Sequence, residues 1–152
     1  LIRAPLLSRR GHAPFATGAL QYIENQREIT GSEARILVPL SLDLISRTIL
    51  AVVDTAAPWC IFEPEVGSRL RQFVSPSQEQ AVLSTRLGTL KGSLYRVPLT
   101  LPADEGESLD LEATVFLSPD WRGPNFIGYQ GLLQRIRFAV DPETNLFYFG
   151  RD

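Results

Sequence analysis

The stretch Thr48-Ile49-Leu50-Ala51-Val52-Val53-Asp54-Thr55-Ala56-Ala57-Pro58 decides the fold. A run of apolar, largely β-branched residues reads as a strand buried on both faces. It ends abruptly in an aspartate, a hydroxyl residue and two alanines, and Pro58 stops any continuation. A carboxylate placed where a buried strand leaves a core is held by rigid backbone between apolar walls. Such walls can move its pKa, as acid–base chemistry requires. Taken alone, Asp54 also fits a residue that ends a strand by opening a turn.

Outward from this stretch, the chain reads as many short strands. Residues 35–42 partly alternate and form the first arm of a hairpin, with a polar turn over 43–47. Val66, Leu70, Phe73 and Val74 recur at i, i+4, i+7 and i+8 behind Glu63-Pro64-Glu65, which predicts a short amphipathic helix with a Pro-led start. A second hairpin is expected from residues 81–87 and 93–101, with a Gly-bounded tip over Gly88-Thr89-Leu90-Lys91-Gly92. Leu109 to Leu117 predicts a strand. Asn125-Phe126-Ile127-Gly128 is a short apolar run closing on glycine, followed by a helix-like stretch from Gln130 to Ile136. Arg137–Asp141 and Leu146–Phe149 flank a turn at Pro142-Glu143-Thr144-Asn145. Residues 1–34 read as an N-terminal extension with a weak helical patch at Leu20, Ile23 and Arg27. The domain proper is expected over 35–152. The resulting class is all-β, a closed barrel or sandwich with one or two short helices.

Composition excludes several chemistries. The 152 residues carry a net charge of −2, with 44% apolar and 21% charged residues. That describes an ordinary globular chain with no electrostatic footprint for nucleic acid or an anionic membrane, and no apolar run is long enough to span a bilayer. Cys60 is the single cysteine and His12 the single histidine. An internal disulfide, a multi-cysteine metal site and a histidine-based zinc site are therefore excluded, and no metal or other cofactor is expected. With no signal peptide visible either, the expected location is cytoplasmic rather than secreted. His12, in a Pro/Gly/Arg-rich stretch, reads as a solvated loop residue, and Cys60 as a small buried hydrophobe. Residues 88–93 lack the order of a phosphate loop, and Asp104-Glu105-Gly106-Glu107 lacks the spacing of a calcium loop. A two-carboxylate glycosidase finds no second acid at a strand end. Chemistry, if carried, falls to carboxylates.

The order of elements is more specific than any of them alone. An apolar strand ends in Asp-Thr-small-Ala, a Gly-tipped hairpin follows, and two hydrophobes plus glycine then lead into a short helix. This resembles the retropepsin-like aspartic proteases, the single-lobe, homodimeric relatives of pepsin. Asp54-Thr55-Ala56-Ala57 matches the family's Asp-Thr/Ser-Gly-Ala at three of four positions, and Phe126-Ile127-Gly128 matches its hydrophobic-hydrophobic-Gly motif. The resemblance spans roughly residues 35–150.

It implies Asp54 as the catalytic acid, with Thr55, Ala56 and Ala57 supporting its loop. It further implies a flap over 84–96, with Leu87, Gly88 and Thr89 against an extended peptide or protein substrate, and Phe126-Ile127-Gly128 passing beneath the catalytic loop. One carboxylate cannot be general acid and general base to one water at once, whereas two sharing a proton can. The chain has one Asp-Thr loop, so the reading requires a homodimer with Asp54 from each copy at the two-fold axis. Two departures stand out: Ala56 replaces the family's glycine, and Leu87 stands where pepsin-like relatives carry a tyrosine. The implied activity is peptide-bond hydrolysis. The alternative is a weak or inactive domain of this kind serving as a dimerisation or peptide-binding module.

Overall fold

The computed structural model describes residues 17–26, 34–75, 79–86 and 88–151. Its strands are β1 (Gly18–Gln21), β2 (Ile23–Gln26), β3 (Ala34–Leu42), β4 (Arg47–Val53), β5 (Cys60–Ile61) and β6 (Gln80–Thr85). They continue as β7 (Gly88–Leu101), β8 (Glu105–Gly106), β9 (Leu109–Leu117), β10 (Asn125–Ile127), β11 (Arg137–Asp141) and β12 (Leu146–Gly150), with one helix, α1 (Pro64–Leu70). Eight strands form a sheet in the order β2-β3-β4-β10-β5-β9-β7-β6, and four form a second in the order β11-β12-β1-β8. One bridge pair, Ser41 with Thr100, joins β3 back to β7. The large sheet therefore curls into a barrel-like form but not the closed barrel expected, because a single bridge pair is all the ladder that joins its two sides. The all-β, barrel-like class expected from the sequence is what the chain adopts.

The barrel interior follows from strand alternation. Val38, Leu40 and Leu42 of β3, Ile49 and Ala51 of β4, Val97, Leu99 and Leu101 of β7, and Leu111, Ala113 and Val115 of β9 all point inward and are buried. Phe147 and Phe149 of β12 and Leu20 of β1 extend the same core into the smaller sheet. Phe138 stacks on Phe147 with ring centroids 5.8 Å apart.

Several sequence expectations shift. β4 is not buried on both faces throughout: Leu50 is 46% exposed, and only at Val52, beside Phe126 of β10, are both faces covered. The amphipathic helix starts at Pro64 as predicted but ends at Leu70, and Phe73 lies 58% exposed beyond it. There the backbone tightens, Phe73 N bonding Leu70 O at 2.9 Å, so Phe73 turns outward while Val74 still packs against the core. The stretch after Gly128 forms only a 3-10 turn at Leu133–Arg135. Leu20 and Ile23 are strand residues, not helical ones, because β1 is inserted between β12 and β8 and β2 pairs with β3. Both strands lie within the segment read as an extension. Arg27, at the end of that patch, lies outside the described residues.

The second hairpin is displaced as well. Thr85 pairs with Gly88, so 88–92 is strand and not tip. Gly88, at φ 125°, supplies the turn. Gly92 serves a different need: a Cβ there would sit 2.5 Å from Leu117 O and 2.6 Å from the Phe116 ring.

Phe147→Ala should cost about 3–5 kcal/mol in a urea titration, the range for emptying a filled aromatic site. Val82→Ala, at a position 64% exposed, should stay within about 0.5 kcal/mol of wild type.

Candidate functional site

Strand β10 lies between β4 and β5. It runs parallel to β4, with Asn125, Phe126 and Ile127 opposite Ala51, Val52 and Val53, and Phe126 pairs antiparallel with Ile61 of β5. The chain leaves β4 at Val53, passes over the end of β10 through residues 54–59, and re-enters the sheet on its far side. This loop carries Asp54. Its first hydrogen bond is to the strand beneath it, Asp54 N to Ile127 O at 3.0 Å. Tyr129 N then bonds Ala57 O at 2.7 Å, and Gly131 N bonds Pro58 O at 3.0 Å. Within the loop, Ala57 N reaches Asp54 O at 3.2 Å and Ala56 N donates to Asp54 Oδ1 at 2.9 Å. The carboxylate is thus oriented by its own loop, while the loop is fastened at both ends to the segment 127–131.

Gly128 makes this crossing possible. A Cβ at that position would lie 2.2 Å from Trp59 O and 2.3 Å from Trp59 C, an approach no side chain permits. Ala56, by contrast, sits without strain. The non-glycine residues at positive φ among those described are Ser46 and Asn145, so Ala56 has ordinary backbone geometry and its methyl group requires no special conformation. Asp54 and Ala57 are half-buried, and Thr55 and Ala56 are exposed.

Asn125, treated in the sequence as part of an apolar run, proves to be a positioning residue. It is 6% exposed, accepts from Glu63 N at 2.8 Å through Oδ1, and donates through Nδ2 to Leu50 O at 3.2 Å. It ties β4, β10 and the entry to α1 into one frame. Its signal is an amide opening an otherwise apolar strand, since a buried polar group needs partners. Ser118, also missed by sequence reasoning, is buried and donates to Lys91 O at 2.8 Å, anchoring the β6–β7 hairpin to the segment after β9.

The outer face of the barrel beside the loop carries a second apolar cluster. Ile61, Leu94 and Phe116 are its buried members, with Trp59, Ala81, Leu83, Leu90, Trp121 and Phe126 packed around them. Trp121 meets Phe126 edge-on at 5.7 Å and donates its indole N–H to Pro124 O at 2.9 Å. Phe126 thereby belongs both to the strand under Asp54 and to the cluster beneath the hairpin. The hairpin joins that cluster through Leu83, Leu90 and Leu94, whereas Gly88 and Thr89 at its far end are exposed. Leu87 and His12 lie outside the described residues.

Cys60 is fully buried, and burial pushes its thiol up to about 11, against the opposing effects of a Gly128 backbone hydrogen bond and the Arg135 charge. Among the described residues, no group of three His, Cys, Asp or Glu side chains could hold a metal ion. No helix among them is long and apolar enough to cross a membrane.

No protein-family model matches this chain, and no curated protein matches it in sequence. Among solved structures it superimposes on a retropepsin-like aspartic protease from Rickettsia conorii with a TM-score of 0.57, covering 86% of this chain and 98% of that one. The fold is retropepsin-like. Sequence identity over the match is 15%, so the likeness is one of architecture.

Gly128→Ala should destabilise the protein by about 2–3 kcal/mol or more in chemical denaturation, since backbone rather than a side-chain end must move. The Cys60 thiol should resist a disulfide reagent at pH 8 in the folded protein and react once the chain is denatured. The folded state holds this proton more tightly than the unfolded chain, whose thiol titrates near 9.0. Its contribution to stability is therefore intact below about 9 and lost as the pH rises through about 11.

Proposed function

We propose that this chain is an aspartic endopeptidase, active as a homodimer in which the two Asp54 carboxylates share one catalytic water. The observation that carries the reading is the fastening of Asp54 to β10: its backbone N–H bonds Ile127 O at 3.0 Å on a retropepsin-like fold. That bond fixes the carboxylate at the end of a strand while Thr55 and Ala56, the next two residues, stay exposed for a second copy to meet.

The chemistry follows from like charge. Two carboxylates brought within about 3 Å cannot both ionise at modest pH, so the pair retains one proton and titrates as a unit. The ionised member removes a proton from water as the water oxygen bonds to the scissile carbonyl carbon, and the protonated member gives its proton to the carbonyl oxygen. Collapse of the resulting gem-diol breaks the C–N bond: the now-protonated member gives its proton to the leaving nitrogen while the ionised member takes one from a gem-diol hydroxyl, leaving a carboxylic acid, an amine and a dyad that again shares one proton. Thr55 holds the two loops together across the axis, and Ala56, unstrained, is compatible with an intact loop. The hairpin 84–96 covers an extended peptide and excludes water.

Asp54→Asn should reduce kcat by about 10²–10⁴-fold or more while leaving dimer formation and peptide binding in place. If turnover survives the substitution undiminished, the assignment is wrong. Retained peptide binding by a wild-type dimer that cleaves nothing supports the binding-module reading instead. Specific activity should fall on dilution through the dimer dissociation constant, because a monomer holds half a site.

A further inference from the structure

A groove crosses the barrel where β7 and β9 meet the turn between β3 and β4. One half, a hollow of about 530 Å³, is lined by Asp43, Leu44, Pro98, Thr100, Asp110 and Glu112. The other half, about 470 Å³, continues past the shared Leu44 and Pro98 to Phe73, Val74 and Arg96. The two ends differ in chemistry. At the first, the Thr100 hydroxyl lies 2.7 Å from Asp110 Oδ1 and 3.0 Å from Asp43 Oδ2, while Glu112 pairs with Arg96 at 3.5 Å. A hydroxyl has one proton and no charge, so it holds the two aspartates side by side without neutralising either. At the second end Phe73 is 58% exposed, beside Val74, which packs on the core.

The chain itself supplies a matching segment. Residues 1–16 contain Arg3, Arg9 and Arg10 and no acidic residue, a charge of +3 that leaves −5 on the rest of the chain. The apolar pair Leu6-Leu7 stands just ahead of Arg9-Arg10. These residues join the fold beside the acidic end of the groove: Thr17 O accepts from Glu107 N at 2.8 Å, and Gly18 pairs with Gly106. Glu107 is three residues from Asp110, so at most about 10 Å separates them, whereas the seven residues from Arg10 to Thr17 span up to about 23 Å. Along β7, the groove from Thr100 to Arg96 adds about 13 Å. The ten residues from Leu7 to Thr17 span up to about 33 Å and so reach its apolar end.

We propose that residues 6–10 dock in this groove of their own chain, Arg9 and Arg10 against Asp43 and Asp110, and Leu6-Leu7 against Leu44, Phe73 and Val74. Exposed ion pairs contribute little by themselves. Here the segment is tethered beside the groove, which makes binding intramolecular at a millimolar effective concentration, so weak contacts suffice. Docking on this face involves neither the Asp54 loop nor a second copy, and it stands whether or not the chain cleaves peptide.

Leu7→Cys combined with Phe73→Cys tests the placement in the full chain, and buried Cys60 does not compete. Mild oxidation, or a short bis-maleimide, should close a link within one chain, read by peptide mass. It should form about tenfold faster or more than in Leu7→Cys combined with Val82→Cys. Val82 is 64% exposed and pairs with Lys91, five residues beyond Arg96 along β7. Arg9→Glu with Arg10→Glu alters no residue of the described fold and should slow the Phe73→Cys link about tenfold. Adding Asp43→Lys and Asp110→Lys should restore the rate by reversing both signs. Should those two lysines unfold the barrel, the first two comparisons still decide. Equal rates at Phe73→Cys and Val82→Cys, or a rate that the two glutamates leave unchanged, overturn the docking. Links that form only between copies overturn it as well.

Discussion

The backbone hydrogen bond from Asp54 N to Ile127 O holds together two stretches of chain more than seventy residues apart, and the candidate site depends on it. It exists because β10 is inserted between β4 and β5, parallel to one and antiparallel to the other. A parallel neighbour cannot be reached by a tight turn; it requires a long connection. Here that connection is everything from β5 to β9, which returns the chain to the opposite side of the loop it left. The carboxylate is consequently placed by long-range strand order, not by local preference. Gly128 enforces the crossing, because any larger residue would collide with the Trp59 backbone.

Around this crossing the polar and apolar parts divide the work. Asn125 satisfies a carbonyl of β4 and the amide that leads into α1, closing the frame without leaving a buried donor or acceptor unpaired. On the outer face, Phe126 and Trp59 link the Asp54 loop to the base of the β6–β7 hairpin through one apolar cluster. The hairpin and the Asp54 loop are thereby joined through packed side chains rather than through charge. Barrel and small sheet share the core that runs from Leu40 to Phe147 and Phe149.

Much of this architecture is legible in the residues themselves. The end of β4, the Pro-led start of α1, β9 and the β11–β12 hairpin are fixed by local pattern: apolar runs, proline and turn residues. Asp54 stands out for the same reason, as a charge ending an apolar run. Features that depend on distant partners are the ones local pattern misplaces. Phe73 keeps helical spacing but lies in the tightened turn beyond α1 and faces outward, while Val74 beside it meets the core. Gly92 has the look of a turn residue and is a packing residue, because its true neighbour, Phe116, lies on another strand. Leu20 and Ile23 have helical spacing, yet β12 and β3 supply partners for extended chain.

The sequence by itself determined the all-β class, the absence of a multi-cysteine or multi-histidine site, and the position of one carboxylate at the end of a buried strand. These rest on residue identity and short-range periodicity, which need no partner to be meaningful. Only the tertiary structure decided that β10 passes beneath that carboxylate, that Asn125 fastens the crossing and that Ala56 is unstrained. Each of those depends on how the chain is arranged in space, mostly between segments far apart in sequence. Such arrangements are settled by which backbone groups find hydrogen-bond partners and which apolar faces find cover, and both are properties of the assembled sheets.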